Sequence, residues 1–336
     1  MLERPVFMRD SSNMAIDLLS DLLNLVRARC SLSGRLVAGG SWRRRFANLD
    51  AVKLCAAIDG ACWFFMDGMA TPSRFEHGDI IVTNGSRTLV LASDPHLIQD
   101  AVTTPLVQDE NGNYRLGQGE DFVMLGGMVQ IDERHQRLLL GGLPPIIRVC
   151  GAQREAASLV WLLSQIVGEM APPGRPGWAI VLAELTQLLF VQTLRAYVMQ
   201  SPATDGGWLK ALGDRRLAPA LARMHADPKR GWNLEDLAQE AGMSRTSFVV
   251  HFREVMGLPP LTYLINWRMH LAERDLRAGS SVAEVAEAVG YTSESAFSHA
   301  FKRIVGMAPG RYRKEVGEER AAHGFSTSES DATAVF

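Results

Sequence analysis

The chain has few cysteines, no long apolar run and almost no net charge, and each scarcity excludes something. Its four cysteines, Cys30, Cys55, Cys62 and Cys150, are scattered and form no C-x-x-C pair. That excludes a disulfide scaffold and a zinc ribbon, and reads as reduced thiols in a cytosolic protein. No uninterrupted apolar stretch approaches the roughly 20 residues that span a bilayer. The opening MLERPVFMRDSSNMAIDLLSDLL carries acidic residues and lacks the apolar run and small-residue cleavage site of a secretory signal. The expectation is a cytoplasmic protein with no membrane partner. A formal net charge of −2 excludes coating of nucleic acid by bulk charge, but it leaves room for a local basic face.

With 336 residues, 47% apolar and 21% charged, the chain can bury a core in each of two domains. Residues 14–28 place Leu18, Leu19, Leu22, Leu25 and Val26 at helical spacing. From about 32 to 150 short apolar runs alternate with Gly, Asp, Asn and Pro, the texture of an all-β sandwich or barrel. Asp59-Gly60, between KLCAAI and ACWFFM, predicts a two-residue hairpin turn. That turn would set Cys55 and Cys62 as diagonal neighbours about 7–8 Å apart. A disulfide wants Cα atoms at about 4.4–6.8 Å, so buried inert thiols are favoured over a redox switch. Two apolar helices follow, over 153–170 and 178–199, separated by PPGRP, and they need a partner surface on the barrel or on a second subunit. SPATDGG (201–207) reads as a linker, and the tail 317–336 has no period and is expected to be disordered.

The last third repeats itself. Leu234, Leu237, Ala238 and Gly242 recur 48 residues later as Val282, Val285, Ala286 and Gly290; after one extra turn residue, Phe248, Phe252, Gly257 and Pro260 recur 49 later as Phe297, Phe301, Gly306 and Pro309. Each copy reads as a helix-turn-helix. A small residue allows close helix approach, a glycine ends the first helix, and Ser244 or Ser293 caps the second. The i, i+4 phenylalanine pairs bury one face and leave the other for DNA. A single helix over 261–279 separates the copies, long enough to hold two recognition helices in successive major grooves.

On these residues 228–313 resembles the AraC/XylS-type DNA-binding domain, above all in SVAEVAEAVGYTSESAFSHAFKRIVGMAPGRYR. Earlier pieces, among them DAVKLCAAIDGACWFFMDG and FEHGDIIVTNGSRTLVLASDP, resemble the cupin-like sensor domain of one branch of that family. The resemblance implies an α+β chain: a cupin-like effector-sensing β-barrel over 1–150, a helical dimerisation or coupling segment over 151–205 and an all-α double helix-turn-helix domain over 206–316. It also implies double-stranded promoter DNA, a small-molecule effector, a second copy of the chain and RNA polymerase as partners.

By position in the motif, the first recognition helix exposes Arg245, Thr246, Val249 and Val250, and the second Glu294, Ser295, Ser298 and His299. Phosphate contacts would come from Arg245, Arg253, Lys302, Arg303, Arg311, Arg313 and Lys314 and from the helix N-termini at Ser244 and Ser293. In related domains an arginine often stands at the position of Val250 or His251 and again at His299. This chain departs from that at both, so relatives' base preference does not carry over. Residues 227–316 hold 12 Lys and Arg against 11 Asp and Glu, so basic side chains must cluster to attract a duplex.

Metal-dependent barrels of the cupin type need two histidines near a glutamate and a further histidine. No H-x-H pair occurs, and His77, His96 and His135 stand alone, so no metal, no cofactor and no enzymatic activity is expected. Lys53 and Trp63 are candidate effector-pocket residues. The rival readings are an enzymatic barrel, a redox-responsive regulator and a constitutive DNA-binding protein whose barrel only oligomerises.

Overall fold

A computed structural model describes residues 17–46, 51–100, 102–110, 112–131, 140, 142–153, 156–170, 175–200 and 207–323. The first helix, α1 (Leu18–Leu25), is capped by Asp17, whose carboxylate accepts from Ser20 N, and it buries Leu18, Leu19, Leu22, Leu23 and Leu25. Ten strands follow: β1 (Arg29–Gly39), β2 (Arg43–Phe46), β3 (Val52–Met66), β4 (Ser73–Glu76), β5 (Ile80–Thr83), β6 (Leu89–Ala92), β7 (Val107–Gln108), β8 (Tyr114–Gly117), β9 (Phe122–Gln130) and β10 (Ile146–Val149). The main path runs β10-β5-β3-β9-β1-β8-β7, with β4, β6 and β2 extending from the far half of β3.

β3 corrects the expected hairpin. Asp59-Gly60 is no turn, because one 15-residue strand runs straight through it. Its first half pairs with β5 and β9, its second with β4 and β6. The register against β9 slips between Ala57 and Asp59, a bulge that bends the strand from one layer of the barrel into the next. Gly60 has φ +67°, and a Cβ there would lie 1.8 Å from the carbonyl oxygen of Asp121. The glycine is demanded by backbone approach at a bend, with the same letters a hairpin would use. Cys55 and Cys62 therefore lie along one strand and do not face each other across two.

Both cysteines point into the barrel with Leu36, Trp42, Phe64, Phe75, Ile81, Leu91, Phe122 and Met124. The opposite face of the same strands, with Leu54, Ala56, Val82, Leu125 and Ile147, joins a different core. Burial drives the thiols up, Cys30 to about 12 and Cys55 to about 11, with Cys62 also well above its ordinary value. They are poor nucleophiles at neutral pH.

Helices α2 (Ala157–Met170) and α3 (Trp178–Gln200) cover the barrel, α3 laying Leu182, Leu189, Phe190 and Leu194 inward. By length and composition α3 would also suffice to cross a bilayer. In this fold one side of it packs on β1 and β10. Seven more helices complete the fold up to Val305: α4 (Trp208–Gly213), α5 (Leu217–Ala226), α6 (Leu234–Glu240), α7 (Arg245–Met256), α8 (Pro260–Ala278), α9 (Val282–Ala288) and α10 (Glu294–Val305). The last helix, α11 (Pro309–His323), runs past the boundary at 316 where order was expected to end. Across that boundary Lys314 pairs with Glu318 at i, i+4. The expectations for 201–206, His135 and 324–336 lie outside the described residues.

Core packing divides the C-terminal region unevenly. One continuous core runs from the outer barrel face through α1, α2 and α3 to α4–α7 and the first half of α8, ending at Tyr263, Leu264 and Trp267. The second half of α8 gives Met269, Ala272 and Leu276 to a separate core with α9, α10 and α11.

Candidate nucleic-acid interface

Each repeat folds as its local sequence dictates. In the first, Asn233 caps α6, Gly242 turns the chain at φ +61°, and Ser244 accepts from Ser247 N at 3.2 Å to start α7. In the second, Ser281 and Glu284 form a reciprocal capping box, Gly290 turns at φ +83°, and Ser293 accepts from Ala296 N at 3.2 Å to start α10. Both recognition helices end in left-handed glycines, Gly257 and Gly306.

The phenylalanine pairs fix how each recognition helix is rotated. Phe248 and Phe252 are fully buried, 5.6 Å apart edge-to-face, and Phe252 meets Tyr263 at 5.8 Å. Phe297 and Phe301 are fully buried 5.5 Å apart, and Phe301 meets Tyr312 at 5.5 Å. With those faces inward, the opposite faces are turned out. Ser244, Arg245, Thr246, Val250 and Arg253 are exposed and Val249 half-buried; Ser293, Glu294, Ser295, His299, Lys302 and Arg303 are exposed and Ser298 half-buried; Arg313 is exposed on α11. All the residues expected on the DNA face thus reach the surface at least in part. Arg245 is paired with Glu235 at 3.1 Å, both largely exposed, a contact worth little that a phosphate would readily replace.

His251 has a different task. Its Nε2 lies 2.6 Å from Asp214 Oδ2, half-buried, joining α7 to the loop before α5. Asp214 also accepts from Arg216 N and Leu217 N. Burial pushes this carboxyl up, but those amides and His251 outweigh it and hold it below its ordinary value. At the matching place the second copy has Ala300, 49 residues on.

The junction between barrel and first repeat was not visible in the sequence. His225 on α5 is buried, stacked on Trp267 with ring centroids 3.7 Å apart, and 2.7 Å through Nε2 from Tyr263 Oη. Its Nδ1 lies 3.6 Å from Asp21 Oδ2 on α1. Burial holds this imidazole below its ordinary pKa, with Asp21 pulling the other way.

In the barrel the two expected effector residues are not brought together. Lys53 shares the inward-facing side of β3 with Cys55 and Ala57, and its buried Nζ has no hydrogen-bond partner. Burial lowers its pKa. Trp63 sits on the outward side, packed near Val90, Ala92 and Ile98, with Arg74 5.7 Å above its ring. His77 bonds the Ile58 carbonyl, and His96 lies exposed in the 3-10 turn Pro95–Gln99.

Family models and sequence relatives agree with this layout. A cupin family model matches residues 17–199, and a helix-turn-helix domain model matches 237–315. An AraC-like transcription regulator of Streptomyces lividans is 39% identical over 301 residues, 89% of this chain and 98% of that protein. The HTH-type transcriptional regulator MtrA of Neisseria gonorrhoeae is 28% identical over 90% of this chain and all of its own length. Among solved structures, ToxT of Vibrio cholerae aligns with 86% of this chain and 98% of its own at 15% identity and a TM-score of 0.33. Capped recognition helices in tandem, a barrel ahead of them and relatives matched end to end lead to one assignment: this chain belongs to the AraC family of DNA-binding transcription regulators, in the form that carries an N-terminal cupin-like domain.

Proposed function

We propose that this regulator is cytoplasmic, binds promoter DNA as a homodimer and responds to a small molecule held in its barrel. In this reading residues 1–150 sense, 151–205 dimerise and couple, and 206–316 bind DNA. The observation that carries it is the continuous core that links the outer barrel face to the first repeat, because a change in the barrel has a packed route to a recognition helix. The effector would lie against Lys53, whose unpartnered inward amine favours an acceptor or an anion over a cation. Trp63, packed on the outer face, would act only by stiffening β3.

For DNA, Arg245, Thr246, Val249 and Val250 of α7 and Glu294, Ser295, Ser298 and His299 of α10 would face base edges. Arg253, Lys302, Arg303 and Arg313, with the capped ends at Ser244 and Ser293, would hold phosphates. Dimerisation would use the outer sides of α2 and α3, where Trp161 (59% exposed), Ile180 (71%) and Met199 (74%) leave apolar surface uncovered. Binding beside a promoter would bring RNA polymerase within reach. The buried, unreactive thiols disfavour the redox-responsive alternative.

Genome-wide mapping of DNA bound by wild type and by Lys53→Met tests this reading. Discrete promoter sites for wild type, with Lys53→Met occupying them but no longer changing expression with growth medium, are expected. Absence of enriched sites for the wild-type protein contradicts the DNA assignment, and a fully responsive Lys53→Met contradicts the effector assignment.

A further inference from the structure

The two recognition helices are copies, so residues 49 apart occupy the same place on each. Ser244 and Ser293 start them, and the buried pairs Phe248/Phe252 and Phe297/Phe301 fix the same rotational setting. Equivalent outward positions can therefore be compared directly. Thr246 matches Ser295 and Arg253 matches Lys302, conservative pairs in hydrogen bonding and charge. Val250 and His299 do not match.

Val250 is 52% exposed in the middle of α7, between exposed Thr246 and exposed Arg253 one turn to either side. Valine is a mediocre helix residue, and the exposed half of this side chain gains nothing from packing inside the chain. A duplex major groove offers one apolar feature at a base edge, the C5 methyl of thymine, and valine has no donor or acceptor for any other. His299, in the same place on α10, carries ring nitrogens that can donate to purine N7 and cannot form the two-pronged contact of an arginine.

We propose that Val250 reads a thymine methyl through α7 and that His299, at the equivalent place on α10, reads a purine N7. The inference rests on α7 and α10 entering major grooves as described above. It puts a methyl-dependent position in the half-site bound by α7 and none at the equivalent place in the half-site bound by α10. The residues at the first turns agree with unlike readout, since Arg245 stands where the second copy has Glu294, a reversal of charge beside the duplex.

The test selects a bound duplex from a random pool with the full-length protein, then replaces its thymines one at a time by deoxyuridine, which removes the methyl alone. One such replacement in the half-site bound by α7 should weaken wild type about fourfold, the value of one buried methyl. Val250→Ala should be indifferent to that replacement, and Val250→Thr, which keeps the shape, should retain part of it. Both variants lie on an exposed helix face, and a circular dichroism melt matching wild type confirms that they fold. Replacing one purine by its 7-deaza form in the other half-site should weaken wild type and leave His299→Ala unchanged. A protein that selects a defined duplex yet ignores every deoxyuridine, or whose sensitivity survives in Val250→Ala, overturns the proposal alone. A protein that retains no duplex from the pool overturns the DNA reading beneath it as well.

Discussion

The two helix-turn-helix copies have the same turn glycines, the same serine caps on their recognition helices and the same phenylalanine pairs, yet they are mounted differently. The first is built into the core it shares with the barrel. Its Leu237, Phe248 and Phe252 belong to the core that includes Leu22 of α1 and Leu54 of the barrel, His251 ties it to Asp214, and His225 meets Asp21 across the junction. The second has a core of its own around Phe297, Phe301 and Tyr312, reached through the end of α8. Similar motifs can thus be mounted differently, one packed into the core that continues into the barrel and the other on a core of its own.

The largest effect that would break this comparison is in the cores. Phe252→Ala and Phe301→Ala should each cost about 3–5 kcal/mol. Phe252→Ala should lower the melting of barrel and first repeat together, whereas Phe301→Ala should release only α9–α11, as resolved by limited proteolysis. Next, Asp214→Ala should cost about 1–3 kcal/mol by leaving His251 and two helix-end amides without their acceptor, with duplex affinity falling through α7 alone.

Acid should sharpen the contrast. The imidazole of His225 faces Asp21 of α1 and Tyr263 and Trp267 of α8, with Arg274 and Asp275 of α8 lining the same cleft. Its folded pKa lies below that of a free histidine near 6.5, so the unfolded or undocked chain binds the proton better. Stability at the junction is therefore complete at neutral pH and is lost as pH falls below about 6.5. Melting temperature measured from pH 7.5 to 5.5 should fall in wild type, and the part of the slope due to this histidine should vanish in His225→Phe. The smallest effect is in the caps: Ser244→Ala and Ser293→Ala should each cost about 1 kcal/mol, the first felt by the barrel and the second not.

Much of this organisation was legible in the residues. The repeat gave helix positions, turn glycines, capping serines and buried phenylalanines, because each is a local requirement with few chemical solutions. Asp59-Gly60 misled because positive φ and close backbone approach are needed at a bulged bend as well as at a hairpin, and only pairing with β9 distinguishes them. The outward face of α7 and α10 could be read from spacing, but His251 could not be placed, since its partner Asp214 lies 37 residues away. The joint at His225 was invisible for the same reason: Asp21, His225 and Trp267 are brought together by domain packing, which no local pattern encodes.

Hydrogen exchange on Leu22→Ala tests the unequal mounting most directly. Leu22 is buried on α1, in the core shared by barrel and first repeat. The shared core predicts faster exchange of amides in α1, α5, α6 and α7 together, with α9 and α10 unchanged. Equal loss of protection in both repeats, or a loss confined to the barrel, would contradict it.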